Sequence, residues 1–153
     1  MSKINWLKIK EPLRGICVIN TVDGPMNIAM HEPQEDEVKH IVKIWPLPPR
    51  PMRTYKVPYE NETSHGLKTV VEPDTSDEAT KKWEESCDSV LEFQAMAYAE
   101  ASIDEECKPE GLTYEERVAV LVTMPRAVRI KLINFAQSLG DKRIAERVEE
   151  AKK

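Results

Sequence analysis

Glycine, cysteine and histidine are scarce in this sequence, and each scarcity removes a class of chemistry. The five glycines, Gly15, Gly24, Gly66, Gly111 and Gly140, stand singly, so no glycine-rich phosphate-binding loop can be drawn. Cys17, Cys87 and Cys107 are an odd, widely spaced set that fits neither a disulfide framework nor a zinc ribbon and predicts reduced thiols. His31, His40 and His65 form no HExxH pair, and Pro33 breaks the turn that such a motif would need after His31. Folding could still bring Cys17, His31 and His40 together as a nucleophilic site. The plainer reading is a buried strand cysteine with two loop or edge histidines. No cofactor and no metal are expected. Long apolar runs are missing too: nothing approaches the roughly 20 residues of a membrane span, and Met-Ser-Lys-Ile-Asn-Trp lacks the apolar run of a signal peptide. The expectation is a cytoplasmic chain that does not enter membranes.

Proline is plentiful, and its distribution is uneven. Nine of the eleven prolines lie at or before Pro73, and only Pro109 and Pro125 follow. Because proline lacks a backbone donor and is excluded from helix interiors, the first half should be strands and extended segments and the second helical. Charge divides as well. Residues 1–75 carry ten basic and ten acidic side chains, residues 76–110 three and eleven, and residues 111–153 nine and six.

In the first half, Ile16, Val18 and Val22 alternate with Cys17, Ile19 and Thr21. Asp23-Gly24 then offers a turn, and Met26, Ile28 and Met30 resume the alternation, which predicts a hairpin. Val38 to Trp45 is apolar on both parities and reads as a third strand buried on both faces, with Ile4 to Ile9 as a further strand. The acidic stretch 32–37 between them reads as a solvated loop or the first turn of a short helix. Pro46-Leu-Pro-Pro-Arg-Pro51 must be extended. Its PxxP spacings, Pro46/Pro49 and Pro48/Pro51 beside Arg50, suit a ligand of an aromatic-lined groove; a stiff connector is the plainer alternative. Thr54 to Tyr59 and Leu67 to Val71 read as a second hairpin around residues 61–66.

The second half opens with Thr75 and Glu78 at capping-box spacing, followed by a segment free of Gly and Pro from Ser76 to Lys108. Trp83, Cys87, Val90, Ala97 and Ala101 draw an apolar stripe, and Leu91, Phe93, Met96, Tyr98 and Ile103 widen its later part. Carboxylate pairs such as Glu84/Asp88 and Glu105/Glu106 read as solvated surface. Thr113 and Glu116 cap a short helix bearing Val118, Leu121 and Val122. Pro125 begins a third helix carrying Val128, Leu132, Phe135, Ala136 and Leu139. Gly140 reads as its C-cap, and Asp141 starts a fourth helix with Ile144, Ala145 and Val148 inward. The fold class expected is α+β: a small N-terminal antiparallel sheet, a Pro-rich arm at 46–58 within a β-rich region 1–74, and a four-helix unit at 75–153.

Pro48-Pro-Arg-Pro51, an extended stretch, Val71-Glu-Pro-Asp74 and Asp77-Glu-Ala-Thr-Lys-Lys-Trp83-Glu-Glu follow one another over about residues 46–100. This order resembles small accessory proteins encoded among bacteriophage tail genes, in which a Pro-rich segment leads through an acidic Pro-Asp turn into a helix with an early aromatic. The resemblance implies a tail-assembly chaperone or a minor virion component, found in the host cytoplasm or in the virion. It transfers no functional residue.

The function expected is therefore non-enzymatic protein binding during assembly. The partners are other proteins of a larger structure or further copies of the chain, and Pro46, Pro48, Pro49, Arg50, Pro51, Trp83, Phe93 and Tyr98 are the candidate contact residues. A nucleic-acid regulator using Arg126, Arg129, Lys131, Lys142, Arg143 and Arg147 on the last two helices ranks second, because the acidic segment before them would repel phosphate. A cysteine-dependent enzyme ranks third.

Overall fold

A computed structural model describes residues 3–59 and 66–152, with side chains through Arg143. It has mixed α and β structure: two antiparallel sheets of two strands each, together with helices. By its contacts the chain forms two units, residues 1–45 with 92–153, and residues 46–91.

In the first unit, strands β1 (Arg14–Thr21) and β2 (Gly24–His31) pair in the expected register, with Cys17 opposite Ile28 and Ile19 opposite Met26. Gly24 closes the turn at φ +107°, a region that L side chains rarely adopt. Thr21 Oγ1 donates to the Gly24 carbonyl at 2.7 Å. Period two puts Cys17 and Ile19 on the buried face and leaves Ile16 and Val18 outside.

The third strand and the N-terminal strand are not formed. Residues 6–10 make the short helix α1 (Trp6–Lys10), begun by Asn5, whose Oδ1 accepts from the Leu7 and Lys8 N–H groups. The run from Val38 to Trp45 is helical in α2 (Glu35–Val38) and α3 (Ile41–Ile44). Apolar residues on both parities suit a buried helical turn as well as a strand. What decides is Glu37, which accepts from the Gln34 N–H at 3.1 Å and starts a helix ahead of the run.

Helix α4 (Asp77–Ser102) is shorter than its Gly- and Pro-free window, because Ile103 leaves it to bridge Met30 and the Asp104 N–H donates to the Ala29 carbonyl. A 3-10 turn at Glu105–Cys107 follows. Helix α5 (Tyr114–Val122) is capped by Thr113, whose Oγ1 accepts from the Glu116 N–H. Helix α6 (Arg126–Lys152) then runs straight through Gly140. The expected third and fourth helices are thus one, and residues 75–153 hold three α-helices among the described residues, two long and one short, not four. A glycine inside a helix weakens it by about 0.5–1 kcal/mol but does not end it unless the following residues favour a turn, and Asp141 onward is rich in helix formers. The inward orientation expected of Ile144, Ala145 and Val148 falls outside the described side chains, as does Arg147. The turn around residues 61–66 lies almost wholly outside the described residues.

The core belongs to the first unit. Cys17, Ile19, Met30 and Ile41 meet Met96, Ala97 and Ala99 of α4, Val118 of α5, and Leu132, Ala136 and Leu139 of α6. Burying a side chain the size of Met30, Met96 or Leu132 contributes about 1.5–3 kcal/mol. Gly15 permits the approach of α6 to β1, since a Cβ there would lie 2.9 Å from the Phe135 ring. In the second unit, β3 (Met52–Pro58) pairs with β4 (Leu67–Pro73), and α4 begins. Ser76, one residue after the expected cap, accepts the Ala79 N–H.

Candidate interaction surfaces

The Pro-rich arm and Trp83 are far apart in sequence and meet in the second unit. The Trp83 Nε1–H donates to the Pro48 carbonyl at 3.0 Å, and the Arg50 guanidinium lies 5.2 Å from the indole centroid. An indole N–H on a polyproline carbonyl, with a cation on the ring face, is the chemistry by which aromatic grooves hold proline-rich ligands. Here ligand and aromatic come from one chain. Arg50, Pro51 and Trp83 also border a cleft of about 100 Å³ with Pro73, Asp74 and Thr80. Pro46 and Pro49 remain exposed.

Beside the arm, β3 and β4 present two faces, each mixing polar and apolar side chains. On the first, Arg53 pairs with Glu72, Tyr55 Oη donates to Glu72 at 3.2 Å, and Arg53 stacks over the Tyr55 ring. Asp74 is held below the ordinary carboxylate range because the Ser76 N–H and hydroxyl donate to it, with Arg53 adding attraction. On the second face, Met52 is 53%, Val71 58% and Leu67 60% exposed. The register places these on one side of the hairpin with Pro58 and Pro73, and with Thr54, Lys56 and Thr69 between them.

Phe93 and Tyr98 lie in the first unit, where they pack against the core. Phe93 stacks on Trp45 with centroids 6.2 Å apart, Tyr114 meets Trp45 edge-on at 5.7 Å, and Gln94 Nε2 donates to the Trp45 carbonyl at 2.7 Å. Burial pushes the Tyr98 hydroxyl pKa up. The Tyr114 pKa is raised to about 12, by burial first and then by Glu100.

Two polar clusters had no sequence motif to announce them. His31 Nδ1 lies 2.6 Å from Asp104 Oδ1, and its Nε2 is 3.0 Å from Glu37 Oε1. Glu100 is 2% exposed, and its Oε1 accepts from Arg117 Nε at 2.7 Å and faces Lys108 Nζ at 3.2 Å. Its Oε2 has no partner among the described residues. No group of His, Cys, Asp and Glu among the described residues is placed to hold a metal ion.

Some of the residues weighed for the other two classes are engaged elsewhere. Cys17 is 1% exposed in the core, and burial pushes its thiol pKa up against a smaller opposing effect of Lys131. Arg143 donates to Glu32 through Nε at 2.9 Å and Nη2 at 2.7 Å, and to the Ile9 and Glu11 carbonyls. Arg129 pairs with Glu92. Arg126, Lys131 and Lys142 stay exposed. No helix among the described residues is long and apolar enough to cross a membrane. Comparison with protein-family models, curated proteins and solved structures gives no match for this chain.

Proposed function

We propose that this chain is a non-enzymatic protein-binding component of a larger assembly, of the kind that its Pro-rich arm and following helix resemble in phage tail accessory proteins. One observation carries the reading: none of the described residues from 46 to 91 is buried. A two-stranded hairpin is marginal in water unless it has further strands or a packed face. On one side of the hairpin Met52, Leu67 and Val71 stand exposed among Thr54, Lys56 and Thr69, and no described residue of the second unit is buried beneath them. A partner protein, or a second copy, covers that face in the working state.

The internal arm–Trp83 contact supports this reading, because it stiffens the segment beside the hairpin and so lowers the entropy lost on docking. The engagement of Arg129 and Arg143 with Glu92 and Glu32 leaves fewer cations for phosphate than the sequence count offers. The test is co-expression of a tagged chain with the products of its neighbouring genes, alongside Leu67→Lys/Val71→Lys. The parent should form a stable complex or oligomer, and the double variant should lose it while keeping the thermal melt of the first unit. A monomer that binds none of the neighbours, with hairpin amides already protected from exchange, overturns the proposal.

A further inference from the structure

The first unit carries two apolar features outside its core, one convex and one concave. The convex one is α1 and its approach, where Trp6 is 72%, Leu7 75% and Ile4 63% exposed. No residue of α1 is buried, yet the helix is held in place. Asn5 caps it, and Arg143 Nη1 and Nη2 donate to the Ile9 and Glu11 carbonyls at 2.9 and 2.7 Å. An exposed tryptophan on an anchored turn is the residue type that dominates the binding energy of interfaces.

The concave feature is a cleft of about 170 Å³ lined by Met26, Ile28, Ile103, Val120, Leu121 and Met124. An apolar cavity of about 150 Å³ accepts a benzene ring, so this one is of the size for a single aromatic side chain. Its two methionines can adjust their shape to such a guest. Lys108 and Arg117, which also border it, are turned to Glu100.

Charge and position decide what fills the cleft. Residues 3–11 carry three lysines and one acidic residue. Residues 104–116, which supply Cys107, Lys108 and Pro109 to the cleft wall, carry six acidic residues and one lysine. The two features are thus opposite in charge as well as in shape. The bonds to Arg143 keep α1 away from the cleft of its own chain. Arg143 also binds Glu32, beside the Arg14/His31 end of the β1–β2 hairpin, while Met26 lies five residues from His31, about 17 Å along the strand. Knob and cleft therefore meet between copies.

We infer that α1 of one copy seats Trp6 in the apolar cleft of the next, so that copies of this chain join head to tail. The inference goes beyond the protein-binding reading, whose surface is the hairpin of the second unit. Because knob and cleft lie at different places on the chain, the contact is heterologous, and a free knob and a free cleft remain until a ring closes. An interface built on one aromatic anchor and two aliphatic neighbours is at the small end of specific complexes, which sets the expected Kd at about 10–100 µM.

Sedimentation velocity of the full chain over about 5–500 µM tests this. The parent should grow beyond the monomer as its concentration rises. Trp6→Ala removes the knob and keeps the cleft, whereas Met26→Glu/Val120→Glu blocks the cleft and keeps the knob. Met26 is 52% and Val120 44% exposed, so the fold should tolerate these changes. Each variant alone should stay monomeric, with association weakened about tenfold or more. An equal mixture of the two should form a heterodimer that grows no further, since one working knob and one working cleft remain; its formation also shows that both variants fold. A parent that stays monomeric, association of either variant by itself, or a mixture that does not associate overturns the inference. Leu67→Lys/Val71→Lys should leave the association intact. If association is lost through that pair and not through Trp6, the α1 proposal falls and the protein-binding reading stands.

Discussion

At position 100 a carboxylate lies within the apolar stripe of α4, four residues after Met96 and three after Ala97, where burial would ordinarily exclude it. It persists because Lys108, in the loop between α4 and α5, and Arg117, in α5, converge on it. Removing the carboxylate strands both cations against the core. Glu100→Ala should therefore cost about 3–5 kcal/mol, the usual penalty for breaking a buried ion pair from one side. Urea unfolding measures it, and a loss below about 1 kcal/mol, the range of a surface pair, would mean that the cations find water instead. The sequence reading passed over this charge, and its partners were hidden as well, since Arg117 sits in a different helix. The same limit hid the contact between His31 and Asp104. Pro48, Arg50 and Trp83 were each singled out for contact with a partner; that they contact one another follows only from the chain's return through β3 and β4.

At the scale of elements, local chemistry decided some assignments and tertiary contacts the others. The β1–β2 register and the start of α5 follow from alternation and from Thr113, signals that act within a few residues. The helical state of Ile41–Ile44 was hidden because a short apolar run has no period of its own. The end of α4 at Ser102 was hidden because it depends on an edge of β2 offering Ala29 and Met30. Gly140 misleads for another reason: glycine is favoured after a helix end, but nothing in the next turn forces one. The structure puts it inside α6, without the positive φ found at Gly24 and Gly111, and a Cβ added there meets no atom within 4 Å. Gly140→Ala should accordingly stabilise the protein by about 0.5–1 kcal/mol, through lower chain entropy in the unfolded state. Differential scanning calorimetry would show a raised Tm. A lowered Tm would mean that residue 140 needs a conformation closed to alanine, as a true C-cap would.

At the scale of the whole molecule, the fall in proline content near residue 75 marks the entry into α4, whereas the contacts divide the chain at 45/46 and 91/92. The core residues all lie outside 46–91, so the first unit should fold without that segment. Its two cut ends are close, because Gln94 Nε2 reaches the Trp45 carbonyl at 2.7 Å and Phe93 stacks on Trp45. A short Gly-Ser linker ending in Asp, joining Trp45 to Glu92, would span the gap and supply a new N-cap for the rest of α4. The excised chain should keep a cooperative thermal transition and the near-ultraviolet circular dichroism of Trp45 among Phe93 and Tyr114, since the Arg117–Glu100 and Arg143–Glu32 pairs are retained. It should also fail to join any complex that needs Leu67 and Val71. A broad, non-cooperative melt would show instead that the early turns of α4 hold its later half in place, and that the two units share one folding transition.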